Sequence, residues 1–130
     1  MLVTREMDYA LRILRALHQQ GQMSAAAVAE QEHMQKAITL KLLKQLHAAG
    51  IVDSRRGPNG GYLLARPCSR LNLYDLFSAL GETIYINRCQ QPDYHCENPG
   101  NCGLCREFTR VQAVLDSELR RTPLNALFET

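Results

Sequence analysis

The stretch Ile51-Val52-Asp53-Ser54-Arg55-Arg56-Gly57-Pro58-Asn59-Gly60-Gly61-Tyr62-Leu63-Leu64-Ala65 decides the fold. Ile51-Val52-Asp53-Ser54 reads as a short strand and Tyr62-Leu63-Leu64-Ala65 as its return. Between them, Pro58 fixes a backbone angle suited to turns, and Asn59-Gly60 is among the strongest hairpin dipeptides. The segment therefore folds back on itself. Two arginines stand at the turn, and the glycines beside them allow a close backbone approach. That combination suits a probe of phosphates or of a narrow minor groove. A plain surface hairpin does not require paired arginines, although it can carry them.

Upstream of the hairpin, residues 36–49 read as a helix stopped by Gly50. Met34, Ile38, Leu42 and Leu46 step by four and form one apolar stripe, flanked by Thr39 and Leu43. At about 100° per residue, Lys36, Ala37, Leu40 and Lys44 point away from it. A leucine among lysines is unexpected toward water but suits a major groove. There Leu40 touches a thymine methyl, and Lys36, Lys41 and Lys44 reach phosphates or guanine edges. A solvated basic face with one surface leucine has the same pattern.

Ser24 caps a shorter helix over about residues 25–31, with Ala26, Val28 and Ala29 as its packing residues. Glu32-His33-Met34-Gln35 reads as the turn between the two helices, which gives a helix-turn-helix. A first helix over about residues 4–19, capped by Thr4 and ended by Gly21, packs on them through Met7, Ala10, Leu11, Leu14 and Leu17. Three helices followed by a hairpin make a winged helix-turn-helix, mainly α with a small β wing. The residues expected to meet DNA are Lys36, Ala37, Leu40, Lys41 and Lys44, together with Arg55, Arg56, Asn59 and Gly60 of the wing.

The charge distribution agrees with this. The net charge is +2, but residues 1–70 hold ten Lys/Arg against five Asp/Glu, and residues 71–130 hold five against eight. The front is basic and the rear acidic, as expected if one face meets a polyanion. The composition is that of an ordinary globular chain. No run reaches the roughly 20 apolar residues of a membrane span, and the polar start lacks the apolar core of a secretory signal. The chain is expected to stay in the cytoplasm. There is no nucleotide-binding glycine motif and no catalytic triad, so an enzyme is not expected.

Leu73, Leu76, Phe77 and Leu80 mark a further short helix, closed by Gly81. Residues 87–103 read as a polar loop with Pro92, Pro99, Gly100 and Gly103. A long helix follows over about residues 104–121. Its seam of Leu104, Phe108, Val111, Leu115 and Leu119 calls for burial against a second subunit, against its own domain, or partly both. The expected division is 1–81, a winged helix-turn-helix; 82–103, a cysteine-rich loop; and 104–130, a dimerisation helix with a C-terminal tail.

Four of the five cysteines, Cys89, Cys96, Cys102 and Cys105, fall within one 17-residue window. In a cytoplasmic chain such clustering points to a metal or redox site. Four thiolates on a Pro- and Gly-containing loop suit an iron–sulfur cluster. Structural zinc prefers two tight knuckles, and only Cys102-x2-Cys105 is one. A thiol–disulfide sensor is a third reading. Cys68, beside Pro67, is read as structural. His95, beside Cys96, is an alternative to Cys105 as fourth ligand.

The wing through Arg66-Pro67, together with Asp8-Tyr9-Ala10-Leu11-Arg12, the run from Leu42 to Val52, and Leu73-Tyr74-Asp75-Leu76, resembles one bacterial family. This is the winged helix-turn-helix transcription regulators that include IscR, NsrR, RirA and CymR. The resemblance runs along essentially the whole chain. It implies a dimer that reads a palindromic operator, with residues 36–49 as recognition helix and Arg56 as wing arginine. It implies three cluster ligands, matched by Cys89, Cys96 and Cys102. For the fourth, IscR-like members place a histidine where Cys105 stands, and NsrR-like members use an aspartate of the partner's first helix, matched by Asp8. CymR-like members bind no cluster. A [2Fe–2S] cluster is favoured over [4Fe–4S], with zinc as the alternative. This chain departs from the pattern at three points: His33 replaces the usual turn glycine, Gln35 replaces a Ser or Thr at the helix start, and the first cysteine gap is longer. Histidine enters left-handed backbone more readily than most residues, which keeps the turn feasible.

Overall fold

The computed structural model describes residues 1–97, 100 and 102–129. Pro99, expected within the cysteine loop, and Thr130 at the end of the tail lie outside the described residues.

Helix α1 spans Arg5–Gln20. Thr4 Oγ1 accepts from the Met7 N–H at 3.2 Å while Met7 Sδ accepts from the Thr4 N–H at 3.3 Å, a reciprocal cap with sulfur in the usual carboxylate place. The helix buries Met7, Ala10, Ile13, Leu14, Ala16 and Leu17 and ends at Gly21, where φ is 77°. Helix α2 spans Ala25–Gln31 and is capped by Ser24. Val28 and Ala29 are buried as expected, but Ala26 is exposed. Its place on the inner face is taken by Ala25, one helical turn before Val28 and Ala29.

The α2–α3 turn contains the one described non-glycine residue with positive φ, His33 at 54°. Helix α3 spans Lys36–Ala48 and buries Thr39, Leu42, Leu43 and Leu46, with Met34 just before it and Ile38 half-buried. Gln35 gives no side-chain cap. The Gln35 carbonyl accepts from the Thr39 hydroxyl at 2.9 Å, and the first-turn amides have no side-chain acceptor from the cap position.

Strands β1, Val52–Arg55, and β2, Gly61–Leu64, pair antiparallel, with Val52 opposite Leu64 and Arg55 opposite Gly61. Both start one residue away from expectation. Ile51 belongs to the helix exit, its N–H donating to the Leu46 carbonyl at 3.0 Å, and Arg55 is drawn into the ladder. A turn of 3₁₀ helix at Cys68–Arg70 leads to α4, Leu73–Ala79, which is capped reciprocally by Asn72 and Asp75. A second 3₁₀ turn, Arg88–Gln90, precedes the long helix α5, Gly103–Arg121.

The seam of α5 divides. Leu115 and Leu119 pack on the core of their own domain, whereas Leu104 is 70% exposed. A short helix α6, Leu124–Phe128, then returns to α1 and to the Cys68–Arg70 turn, burying Leu124 and Phe128 in the same core. The core thus draws on every helix except the exposed start of α5. It presents α3 and the wing on one side and the cysteine loop beside α5. No helix among the described residues is long and apolar enough to cross a membrane.

Candidate nucleic-acid interface and cysteine site

Helix α3 and the wing form the basic side. Lys36, Ala37, Lys41 and Lys44 are exposed, and Leu40 is half-buried rather than fully outward. Lys41 is already engaged: its Nζ lies 2.7 Å from Oε1 of Glu6 at the start of α1. Arg55, Arg56 and Asn59 are exposed on the hairpin, and Gly60 is half-buried beneath the turn. A side chain at Gly60 meets the carbonyl oxygens of Arg55 and Gly57, so glycine here is a demand of the turn itself. Gln22 holds the tip, its Nε2 donating to the Asn59 carbonyl.

Two ties fix this face to the rest of the fold. Met23 and Tyr62 pair through their backbones, which joins the wing to the start of the helix-turn-helix. Arg15 Nη2 donates to both carboxylate oxygens of Glu32, at 3.2 and 3.3 Å, and Glu32 is 10% exposed. A partly desolvated, two-pronged pair of this kind positions the turn before α3.

Cys89, Cys96, Cys102 and Cys105 line one cavity of about 180 Å³, walled by Tyr94, Leu104 and Phe108. The local fold brings them there from three directions. Cys89 sits in the Arg88–Gln90 turn, Cys96 on the following loop, and Cys102 and Cys105 at the N-terminal end of α5. Asn87 Nδ2 and Gln90 Nε2 each donate to Cys89 Sγ at 3.5 Å. Gln90 Nε2 also donates to Thr109 Oγ1 at 3.0 Å, and that hydroxyl donates to the Cys105 carbonyl at 2.8 Å. The Cys105 thiol is pushed above its ordinary pKa, first by its hydrogen bond with Cys89, against a lowering influence from Thr109. None of the five cysteines forms a disulfide. Among the described residues, no three His, Cys, Asp or Glu groups converge on a single-ion position.

The other candidates lie elsewhere. Asp8 pairs with Arg12 at 3.0 Å and lines a separate cavity of about 540 Å³ with Tyr9, Arg12, Glu32 and His33. Within one chain it does not meet the cysteines. His95 is exposed and does not line the cysteine cavity. Cys68 is buried in the core, and burial, with a smaller contribution from the Glu129 charge, pushes its thiol up to about 11.

Sequence reasoning missed Gln112. It is 7% exposed on α5, and its amide reaches the segment that leads into Cys89. Nε2 donates to the Ile84 carbonyl at 2.8 Å and to Asp116 Oδ1 at 2.9 Å, and Oε1 accepts from the Ile86 N–H at 2.9 Å. A glutamine next to the apolar seam, beside Val111, was the only available signal.

The profile of the family described as "Rrf2: Iron-dependent Transcriptional regulator" matches residues 3–130. An HTH-type transcriptional regulator of Neisseria meningitidis serogroup A is 31% identical over 127 residues, covering 98% of this chain and 82% of that protein. The HTH-type transcriptional regulator IscR of Xenorhabdus nematophila is 33% identical over 107 residues, covering 78% of this chain and 65% of its own. Among solved structures, CymR, the global cysteine regulator of B. subtilis, is similar with a TM-score of 0.77 at 23% identity, covering 98% of this chain and 95% of that one. IscR of T. potens is similar with a TM-score of 0.76 at 21% identity, covering 98% and 85%.

Proposed function

The chain belongs to the Rrf2 family of winged-helix, DNA-binding transcriptional regulators, and from that premise we propose a homodimeric repressor whose operator affinity is switched by an iron–sulfur cluster on its four-cysteine loop. The observation that carries this reading is the convergence of Cys89, Cys96, Cys102 and Cys105 on one cavity at the N-terminal end of α5.

The donor set suits the group. Among the described residues four soft thiols and no carboxylate line the cavity, and Asn87 and Gln90 donate N–H groups to the Cys89 sulfur, hydrogen bonds that orient and tune a ligand. The thiols surround a volume instead of converging on a point. A cluster would divide the four ligands among more than one iron, which fits that spread better than one zinc ion. In this reading a [2Fe–2S] group is favoured over [4Fe–4S], and Cys105 is favoured as fourth ligand over the partner's counterpart of Asp8 or over His95. When bound, the group supplies a centre responsive to iron supply or redox state.

The chain's own residues then transmit the change. Cys102 and Cys105 belong to the start of α5, and Gln90 and Gln112 tie the loop to the same helix. The exposed Leu104 and Val114 of α5 suit packing against a second subunit. A shift at the loop therefore alters how two recognition helices are spaced. A dimer reads half-sites of a palindrome about 34–36 Å apart, so a small rotation changes affinity strongly. In this reading α3 enters the major groove through Lys36, Ala37, Leu40, Lys41 and Lys44, and Arg55, Arg56, Asn59 and Gly60 meet the backbone or minor groove. Residues 1–81, 82–103 and 104–130 are the DNA-binding, sensing and dimerising parts.

The test is an absorption spectrum with iron and sulfide analysis on protein purified without oxygen. Visible bands with matched iron and sulfide, lost in Cys96→Ala, are expected. Colourless protein holding stoichiometric zinc, or no metal after anaerobic reconstitution, overturns the cluster reading and leaves a constitutive or thiol-switched regulator.

A further inference from the structure

The recognition helix carries three lysines, and they are not equivalent. Lys36 and Lys44 are exposed without a carboxylate partner among the described residues. Lys41 projects back to α1, where Glu6 Oε1 receives its Nζ at 2.7 Å. The two side chains remain accessible, 55% for Lys41 and 30% for Glu6, so the pair is not locked in the core. Their separation in sequence makes it a contact between elements rather than a helical neighbour pair. A carboxylate offers an ammonium the same anionic oxygen that a DNA phosphate does.

We propose that Glu6 is an intramolecular phosphate competitor, a positioning residue that withholds Lys41 from DNA and so restrains the non-specific affinity of the recognition helix. The inference rests on α3 being the DNA-facing helix. The physical basis is counterion release. Each lysine that neutralises a phosphate adds about 0.9 to the steepness of log affinity against log salt. A lysine that keeps a protein carboxylate releases no counterion. An exposed ion pair is weak, within about 1 kcal/mol, so phosphate displaces Glu6 at a small cost. This makes the pair a graded restraint instead of a block. Glu6 also stands in the first turn of α1, where a carboxylate is favourable for the helix. The test must therefore separate its effect on Lys41 from its effect on α1.

The experiment is fluorescence-anisotropy binding of the full chain to a labelled 20-base-pair duplex of random sequence, across a KCl series. Glu6→Gln is expected to tighten binding about two- to fivefold at low salt and to steepen the salt dependence by up to about 0.9. The gain should vanish in the double variant Glu6→Gln/Lys41→Ala. Glu118→Gln, which makes the same change in net charge on α5, should leave both quantities unchanged. The proposal is overturned if Glu6→Gln matches the parent in affinity and slope, if Glu118→Gln gains as much, or if the gain survives loss of Lys41. Lys36→Ala and Lys44→Ala report separately on the underlying reading. If they bind as the parent does, α3 is not the DNA face. If they weaken binding while Glu6→Gln changes nothing, only the competitor role fails.

Discussion

Met23 and Tyr62 exchange both backbone hydrogen bonds, the Met23 N–H reaching the Tyr62 carbonyl at 2.9 Å and the Tyr62 N–H reaching the Met23 carbonyl at 2.7 Å. Met23, which precedes the Ser24 cap of α2, thereby adds a single-residue bridge to the two-stranded wing. The close approach depends on Gly61, because a Cβ there falls 2.5 Å from the Met23 carbonyl oxygen and 2.7 Å from its carbon. Both are backbone atoms and cannot swing aside. Gly61→Ala is expected to cost roughly 1–3 kcal/mol of stability through overpacking, read by urea denaturation, and to loosen the wing, read by faster amide exchange at Tyr62. An unchanged denaturation midpoint contradicts this account of the wing.

His33 sets a second expectation. At φ 54° it occupies left-handed backbone that costs a side-chain-bearing residue about 1–2 kcal/mol relative to the right-handed form. Glycine has no such penalty but loses more chain entropy on folding. His33→Gly is expected to stabilise the protein by several tenths to about 1 kcal/mol, and His33→Val to destabilise it by more than that. Thermal unfolding of the two variants checks the sign, which must be opposite for the pair.

The start of α3 lacks a side-chain cap at Gln35. Gln35→Ser supplies an oxygen able to accept from the amides of the first turn and is expected to add about 0.5–1 kcal/mol. The structure agrees with the sequence here, since a glutamine is a poor cap by composition alone. Much else was legible in the same way. The fold followed from the turn residues at Pro58 and Asn59-Gly60, from the four-residue stride of Met34, Ile38, Leu42 and Leu46, and from the glycines that end α1, α3 and α4. The clustering of four cysteines within one 17-residue window was legible too. The partnerships of polar side chains were not. Nothing local in Glu6 or Lys41, or in Gln112 and Ile84, indicates that folding brings them together, because such pairs are set by tertiary packing. The apolar spacing of Leu124 and Phe128 was visible, but five residues are too few for periodicity to separate a docked helix from a tail.

Gln112 is expected to be costly to remove. Gln112→Leu keeps the volume but leaves the Ile84 carbonyl and the Ile86 N–H without their partner. The loss is expected to be about 2–3 kcal/mol by denaturation, since buried groups left unpaired carry their full desolvation cost. Limited proteolysis should cut the Cys89 segment faster in the variant. Equal protection of that segment contradicts its role as the tie between the loop and α5.

Cys68 gives a pH dependence with a definite sign. Its thiol is protonated in the native state up to about pH 11, against an ordinary 9.0 for the unfolded chain. Stability from this group is fully present below about pH 9. It declines as pH rises from there through the native value, because in that window the native state holds a proton that the unfolded state has lost. Cys68→Ala should flatten that alkaline decline. In the metal-free native protein at pH 8, iodoacetamide should label Cys68 far more slowly than the cysteines of the loop, since the thiolate is the reactive form and the site is closed.

The central claim is that occupancy of the cysteine loop sets DNA affinity. The direct measurement is the dissociation constant of anaerobically reconstituted and metal-free protein for one duplex, selected by the protein from a random library, at one fixed salt concentration. The account predicts at least a tenfold difference between the two forms, abolished in Cys96→Ala. Equal affinities for both forms at that salt concentration contradict it.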